Sequence, residues 1–179
     1  MAKPLLASLA AAVALSALLL RPAAAHADIV ETMIGVDLEY ALPVESVGDM
    51  GIGVAVRGGM QLHLPFVALT PELGLAYQGF TGTGDPSAFR GIAGLRAGLG
   101  EVLRFGAFGH AGVGHLDLDM PGPDPSRTAF TYDAGLFLDL TVLPLLDVGA
   151  HAAYNQLIAE GDEDAFHWLT FGAHAALVF

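Results

Sequence analysis

The sequence predicts an all-β protein: an eight-stranded antiparallel up-and-down transmembrane β-barrel, preceded by a cleavable signal peptide. Three observations predict it. Apolar residues alternate with small or polar ones along most of the chain after residue 27. The connections between these alternating runs are short and long in turn. The apolar excess also has no helical home. The 179 residues are 54% hydrophobic and 15% charged, with a mean hydropathy of +0.56, whereas a soluble domain carries roughly 25% charged residues. Helical membrane spans would need runs of about 20 apolar residues, and the one candidate sits at the N-terminus.

That segment reads as a leader. Lys3 gives a basic start, Leu5 to Leu20 an apolar stretch, and Ala25-His26-Ala27 a small-residue ending, so a secretory signal peptide over residues 1–27 is expected, cleaved after Ala27. Arg21-Pro22 is the feature that fits an uncleaved anchor instead. Residues 28–179 then form one barrel domain, since about 150 residues leave no room for a second.

The runs follow in order. Ile34, Val36, Leu38, Tyr40 and Leu42 share one face, opposite Asp37 and Glu39. Ile52, Val54, Val56, Met60, Leu62 and Leu64 oppose Gly53, Ala55, Arg57, Gln61 and His63. Val67, Leu69, Leu73, Leu75 and Tyr77 oppose Thr70, Glu72, Gly74 and Gln78. The fourth run is weaker, with Phe89, Leu95 and Leu99 against Arg90, Gly94 and Arg96, and with Ile92 on the polar side. The fifth, Arg104 to Leu116, is glycine-rich, and its facing is set by placing His110, Gly112 and Gly114 on the polar side. The sixth sets Phe130, Tyr132, Leu136, Leu138 and Leu140 against Thr131, Asp133, Phe137 and Asp139. Leu146, Val148 and Tyr154 then oppose Asp147, His151 and Asn155, and Leu169, Phe171, Leu177 and Phe179 oppose Thr170 and His174. Period-two alternation marks strands with two different faces, and about ten residues suffice for a tilted strand to cross a bilayer.

Tight turns are expected at Leu64-Pro65, Gly100 to Leu103 and Leu143 to Leu145, and longer loops at Pro43 to Met50, Thr81 to Ser87, Asp117 to Thr128 and Leu157 to Asp164. Short turns at one end and long loops at the other are the habit of membrane barrels. A soluble barrel with its large residues inside is the structural rival. Its water-facing surface would then be mostly Gly and Ala without lysine, which suits solubility poorly, whereas small residues fit the narrow interior of eight strands. Tyr40, Tyr77, Tyr132 and Tyr154 all fall on the apolar face near the long-loop ends, where an aromatic girdle would meet the lipid boundary.

The last run, Leu169 to Phe179, resembles the terminal strand of the outer-membrane β-barrel family, with an outward aromatic end residue after alternating apolar positions. Phe171, Leu177 and Phe179 fit that pattern, and Ala173 and Ala175 are smaller than usual. The eight-run layout resembles the transmembrane domain of outer membrane protein A and its small relatives. The resemblance implies a monomer in the bacterial outer membrane, a terminal strand read by the barrel assembly machinery, and the lipid bilayer and lipopolysaccharide as surroundings.

With the turn centred at Leu64-Pro65, Arg57 falls opposite Glu72. Asp37 comes near Arg57 across the first loop, and Arg96 near Glu72 across the second. An interior row Asp37, Arg57, Glu72, Arg96 of alternating sign is therefore expected, as a structural plug or as the gate of a narrow channel. His151 and His174 fall opposite each other across the last hairpin, with Asp139 and His110 as further neighbours. Histidines in interior polar networks are the commoner arrangement, so no metal and no cofactor are assigned.

With Lys3 and Arg21 in the leader, five arginines against 19 acidic residues give −14. That balance excludes nucleic acid as a partner. There is no cysteine for a disulfide, a thiolate metal site or a nucleophile. Ser46, Ser87 and Ser126 fall in loops without the strand-borne serine-histidine spacing of lipid-modifying barrels, so an enzyme is not expected. Glu45, Asp49, Asp85, Asp117, Asp119, Asp124, Glu160, Asp162, Glu163 and Asp164 outnumber Arg127 in the loops, a rim that is either solvated charge or a holder of divalent cations bridging to lipopolysaccharide. The expected role is structural or surface interaction with the interior closed. A narrow passive pore for small solutes is the alternative, and a lipid-modifying enzyme a weaker one.

Overall fold

A computed structural model describes residues 30–44, 49–82, 85–117, 126–158 and 165–179. The leader expected over residues 1–27 lies outside them, as do Glu45, Ser46, Asp119, Asp124, Glu160, Asp162, Glu163 and Asp164.

Eight strands run β1 (Val30–Pro43), β2 (Gly51–His63), β3 (Ala68–Phe80), β4 (Ser87–Leu99), β5 (Leu103–Asp117), β6 (Arg127–Leu143), β7 (Leu146–Leu157) and β8 (Phe166–Val178). Each pairs antiparallel with its sequence neighbours, and β8 returns to β1, closing a barrel. At the seam Thr32 donates to the Phe179 carbonyl at 2.7 Å and Phe179 donates to that of Thr32 at 2.9 Å. Closure removes the free edges that an open sheet would expose.

The alternation divides the two faces cleanly. Leu38, Ile52, Leu73 and Leu136 point outward and are 62–68% exposed, while the intervening positions are buried in the barrel. Glycine-rich β5 follows the same parity, with Arg104, His110, Gly114 and Leu116 inside. Tyr40, Tyr77, Tyr132 and Tyr154 all point outward toward the long-loop ends of their strands. The Tyr132 hydroxyl meets the Gln156 side chain, and that of Tyr154 meets His167. Phe171, Leu177 and Phe179 lie on the outer face of the last strand, with Phe171 and Phe179 exposed.

The turn ends correct the expected register. Leu64 donates to the Val67 carbonyl at 2.9 Å, so the first turn is centred on Pro65-Phe66 and not on Leu64-Pro65. Proline suits the second position of a turn, because its φ is preset and it needs no N–H partner. Moving the centre by one residue moves every pair by two: Arg57 faces Gly74, and Glu72 faces Gly59. The same offset recurs across the long loops, where Arg57 faces Gly35, Arg96 faces Thr70, and His151 and His174 face Gly172 and Gly149. A shift of two keeps each side chain on its face, so the inward set is unchanged while its neighbours change. At the second turn Gly100 has φ +108, and an added Cβ would stand 2.0 Å from the Leu103 carbonyl oxygen. Only glycine fits there.

Candidate functional site

The barrel interior is stacked in three tiers. Beneath the long loops, Phe80, Leu116, Leu157, Phe166 and Trp168 fill the cross-section with Ala41, Ala88 and Ala129. Phe166 and Trp168 stack at 5.1 Å, and Phe80 meets both rings edge-on at 5.3 and 6.1 Å. At the turn end lies an open vestibule of about 920 Å³, lined by Glu31, Gln61, His63, Glu101, Arg104 and Asp147 among others. Between them sits the charged tier.

Arg57 is its centre. Its Nε and Nη2 donate to the two oxygens of Asp37 at 2.8 and 3.0 Å, and its Nη1 donates to Glu72 at 2.9 Å. The guanidinium reaches Glu72 although the register sets Gly74 opposite it, because a long side chain spans the diagonal of the sheet. Arg96 does not join Glu72 as expected. Its Nη2 donates to both oxygens of Asp139 on β6, one strand beyond its neighbour, at 2.7 and 2.9 Å, and its guanidinium lies 3.5 Å from the centre of the Phe137 ring. The register facing Arg96 with Thr70 removes the carboxylate that the expected row required.

Glu72 turns instead to His110, whose Nε2 lies 2.8 Å away, and the other ring nitrogen lies 2.6 Å from Asp133. With both nitrogens facing carboxylates, the ring bridges them as a double donor. Arg90 donates to Asp133 at 3.3 Å and lies 5.0 Å from the centre of the Trp168 ring, tying the charged tier to the aromatic one. On the other side, His174 Nε2 lies 2.7 Å from Asp139. Gln78 donates to Glu39 at 2.6 Å, and His151 Nε2 lies 3.4 Å from the same carboxylate. Toward the vestibule, Arg104 donates to Gln61 at 2.9 Å and lies 3.5 Å from Asp147.

Among the described residues, six buried carboxylates (Asp37, Glu39, Glu72, Asp133, Asp139, Asp147) thus face four buried arginines (Arg57, Arg90, Arg96, Arg104). Burial of so many charges is tolerable only because each is paired and hydrogen-bonded. What remains between them is a cavity of about 30 Å³, room for about two waters. The sequence reading placed Asp37, Arg57, Glu72 and Arg96 inside and missed Arg90, Asp133 and Arg104 as network members. Their signal was present, because they share the inward parity of their strands.

No protein-family model matches the sequence, and no curated protein does. Solved structures do match. Neisserial surface protein A superposes with a TM-score of 0.62 at 11% identity, covering 85% of this chain and 98% of that one. The chain has the fold of the small eight-stranded outer-membrane barrels. Ail, the attachment invasion locus protein of Yersinia pestis, superposes at 0.57 with 14% identity over 84% of this chain and 97% of Ail. The outer membrane enzyme PagL superposes at 0.53 with 12% identity over 80% of this chain and 98% of PagL. One architecture therefore carries a surface protein, an attachment protein and an enzyme, so the role follows from the residues and not from the fold.

Proposed function

We propose that this chain is an exported, monomeric barrel of the bacterial outer membrane with a structural or surface-interaction role and a closed interior. An exterior belt of Leu, Val, Ile and Phe surrounding a charged interior is the arrangement lipid demands, since the outward face would otherwise sit unpaired in water. The Tyr40, Tyr77, Tyr132 and Tyr154 girdle marks one lipid boundary, and the outward Phe171, Leu177 and Phe179 suit recognition by the barrel assembly machinery. The acidic long loops, of which Asp49, Asp85 and Asp117 are described, are then the surface offered to lipopolysaccharide or a partner.

The observation that carries the reading is the filled lumen. An aromatic tier and a paired charge tier leave about 30 Å³ in the middle of the barrel, too little for a hydrated ion to pass. We propose no enzymatic role: Ser87 opens β4 and Ser126 precedes β6, both away from the interior histidines at 110, 151 and 174. The narrow pore is the second reading, with Arg57 as its gate, because that one side chain holds a carboxylate from each neighbouring strand. Planar-bilayer recordings separate the two. A closed post shows no steady current in the wild type and unchanged currents in Arg57→Ala, whereas a conductance jump in that variant supports the gate.

A further inference from the structure

The seam where the first and last strands meet holds a trio beyond the Arg57–Asp37 pair. Asp37 on β1 faces His174 on β8 directly in the register, and His151 on β7 leans in beside them. The two Nδ1 atoms lie 3.3 Å apart, and Asp37 Oδ1 lies 3.8 Å from that of His151 and 3.9 Å from that of His174. The outer nitrogens are engaged as well: His174 Nε2 lies 2.7 Å from Asp139 and 3.3 Å from Arg96 Nη2, and His151 Nε2 lies 3.4 Å from Glu39. With the ring protons on the Nε2 atoms that face Asp139 and Glu39, both Nδ1 atoms turn lone pairs toward Asp37 Oδ1. Two nitrogen lone pairs and a carboxylate oxygen then converge on one point in a buried site, where a proton shared between the two Nδ1 atoms or a metal ion offsets their repulsion.

We infer that Asp37, His151 and His174 form a binding site for a divalent transition-metal ion, Zn²⁺ by preference. A triangle with edges of 3.3, 3.8 and 3.9 Å has its centre about 2.1 Å from each corner, the length of zinc bonds to imidazole nitrogen and carboxylate oxygen. Two nitrogens and one oxygen suit zinc better than the all-oxygen shells of Ca²⁺ and Mg²⁺. Asp139 and Glu39 face the outer nitrogens and hold the rings in place, as carboxylates behind the histidine ligands do in zinc proteins. The cavity of about 30 Å³, lined by Asp37 and His151 among others, has room for a water as fourth ligand. Charge agrees, because the buried carboxylates outnumber the arginines even with His110 counted as a cation.

Two glycines make the space. A Cβ on Gly149 would stand 2.6 Å from His174 Nε2, and one on Gly172 would stand 2.4 Å from His151 Cε1. His110 is the internal contrast. Both of its nitrogens are taken by carboxylates, so it has no lone pair to offer. Because the ligands come from β1, β7 and β8, the site exists only once the barrel has closed. A bound ion there ties the closing seam.

The test is to refold the full chain into detergent with Zn²⁺ or with Co²⁺ as a visible reporter, wash with chelator, and measure metal per chain. The site predicts about one metal per folded chain and the absorption of four-coordinate cobalt. His151→Gln and His174→Gln, each checked for closure by its mobility on unheated gels, should retain less than about a tenth of that, while His110→Gln keeps it. If His174→Gln fails to close, His151→Gln provides the readable variant. Folded wild type without stoichiometric metal overturns the proposal, as does an unchanged cobalt spectrum in a closed His151→Gln barrel.

Discussion

The two ends of the barrel interior are built on opposite principles. The loop end is sealed by side chains that exclude water: Trp168 and Leu157 are wholly buried, and Phe80 and Phe166 nearly so. The turn end is open, and its charges, Arg104 with Gln61 and Asp147, line a vestibule of about 920 Å³. The same residue type therefore has a different worth at different depths. Arg57, midway, holds Asp37 and Glu72, whose side chains are 3% and 1% exposed, whereas Arg104 and Asp147 reach the wall of the vestibule.

Substitutions along the axis sharpen that contrast. The largest effect is expected for Arg57→Ala, which strands Asp37 and Glu72 as buried, unpaired carboxylates and should cost about 3–5 kcal/mol in detergent or vesicle unfolding. Converting both partners as well, in Asp37→Asn with Glu72→Gln, should recover much of that loss, because the penalty lies in the stranded charges. Trp168→Ala should cost about 3 kcal/mol by the same assay, from the cavity left among Phe80 and Phe166 and the ring removed from Arg90. Gly172→Ala should cost about 1–3 kcal/mol, since the new methyl meets the His151 ring. Arg104→Ala should cost only about 1 kcal/mol, because its partners face the vestibule. Near-equal losses for Arg57→Ala and Arg104→Ala would remove the distinction between the two ends.

Strand number, strand facing and the outward placement of the four tyrosines were legible because period-two alternation is a local property. It needs no knowledge of which strand meets which. The partners were not, for a reason visible at Pro65. A turn centre displaced by one residue moves each pair by two, which keeps Arg57 and Arg96 inside but takes Thr70, and not Glu72, to Arg96. Contacts that skip a strand, such as Arg96 on β4 with Asp139 on β6 and Glu72 on β3 with His110 on β5, depend on the curvature of the wall, which no hairpin rule encodes. The aromatic tier was missed differently. The alternating runs were ended at Gln78 and begun again at Leu169, but β3 continues to Phe80 and β8 starts at Phe166. Phe80, Phe166 and Trp168 share the inward parity of Gln78 and Thr170, so extending the alternation by two or three residues would have found the plug.

The central claim is that the lumen is sealed at the loop end and open at the turn end, and the absence of native cysteine makes it directly measurable. Single cysteines can be placed at His63, which lines the vestibule with its side chain 40% exposed, and at Ala88, wholly buried in the aromatic tier. Their reaction with a water-soluble maleimide is then followed in the folded barrel. The account predicts rapid labelling of His63→Cys, and protection of Ala88→Cys until the barrel is unfolded. Labelling of Ala88→Cys in the folded state at the rate seen for His63→Cys would contradict it.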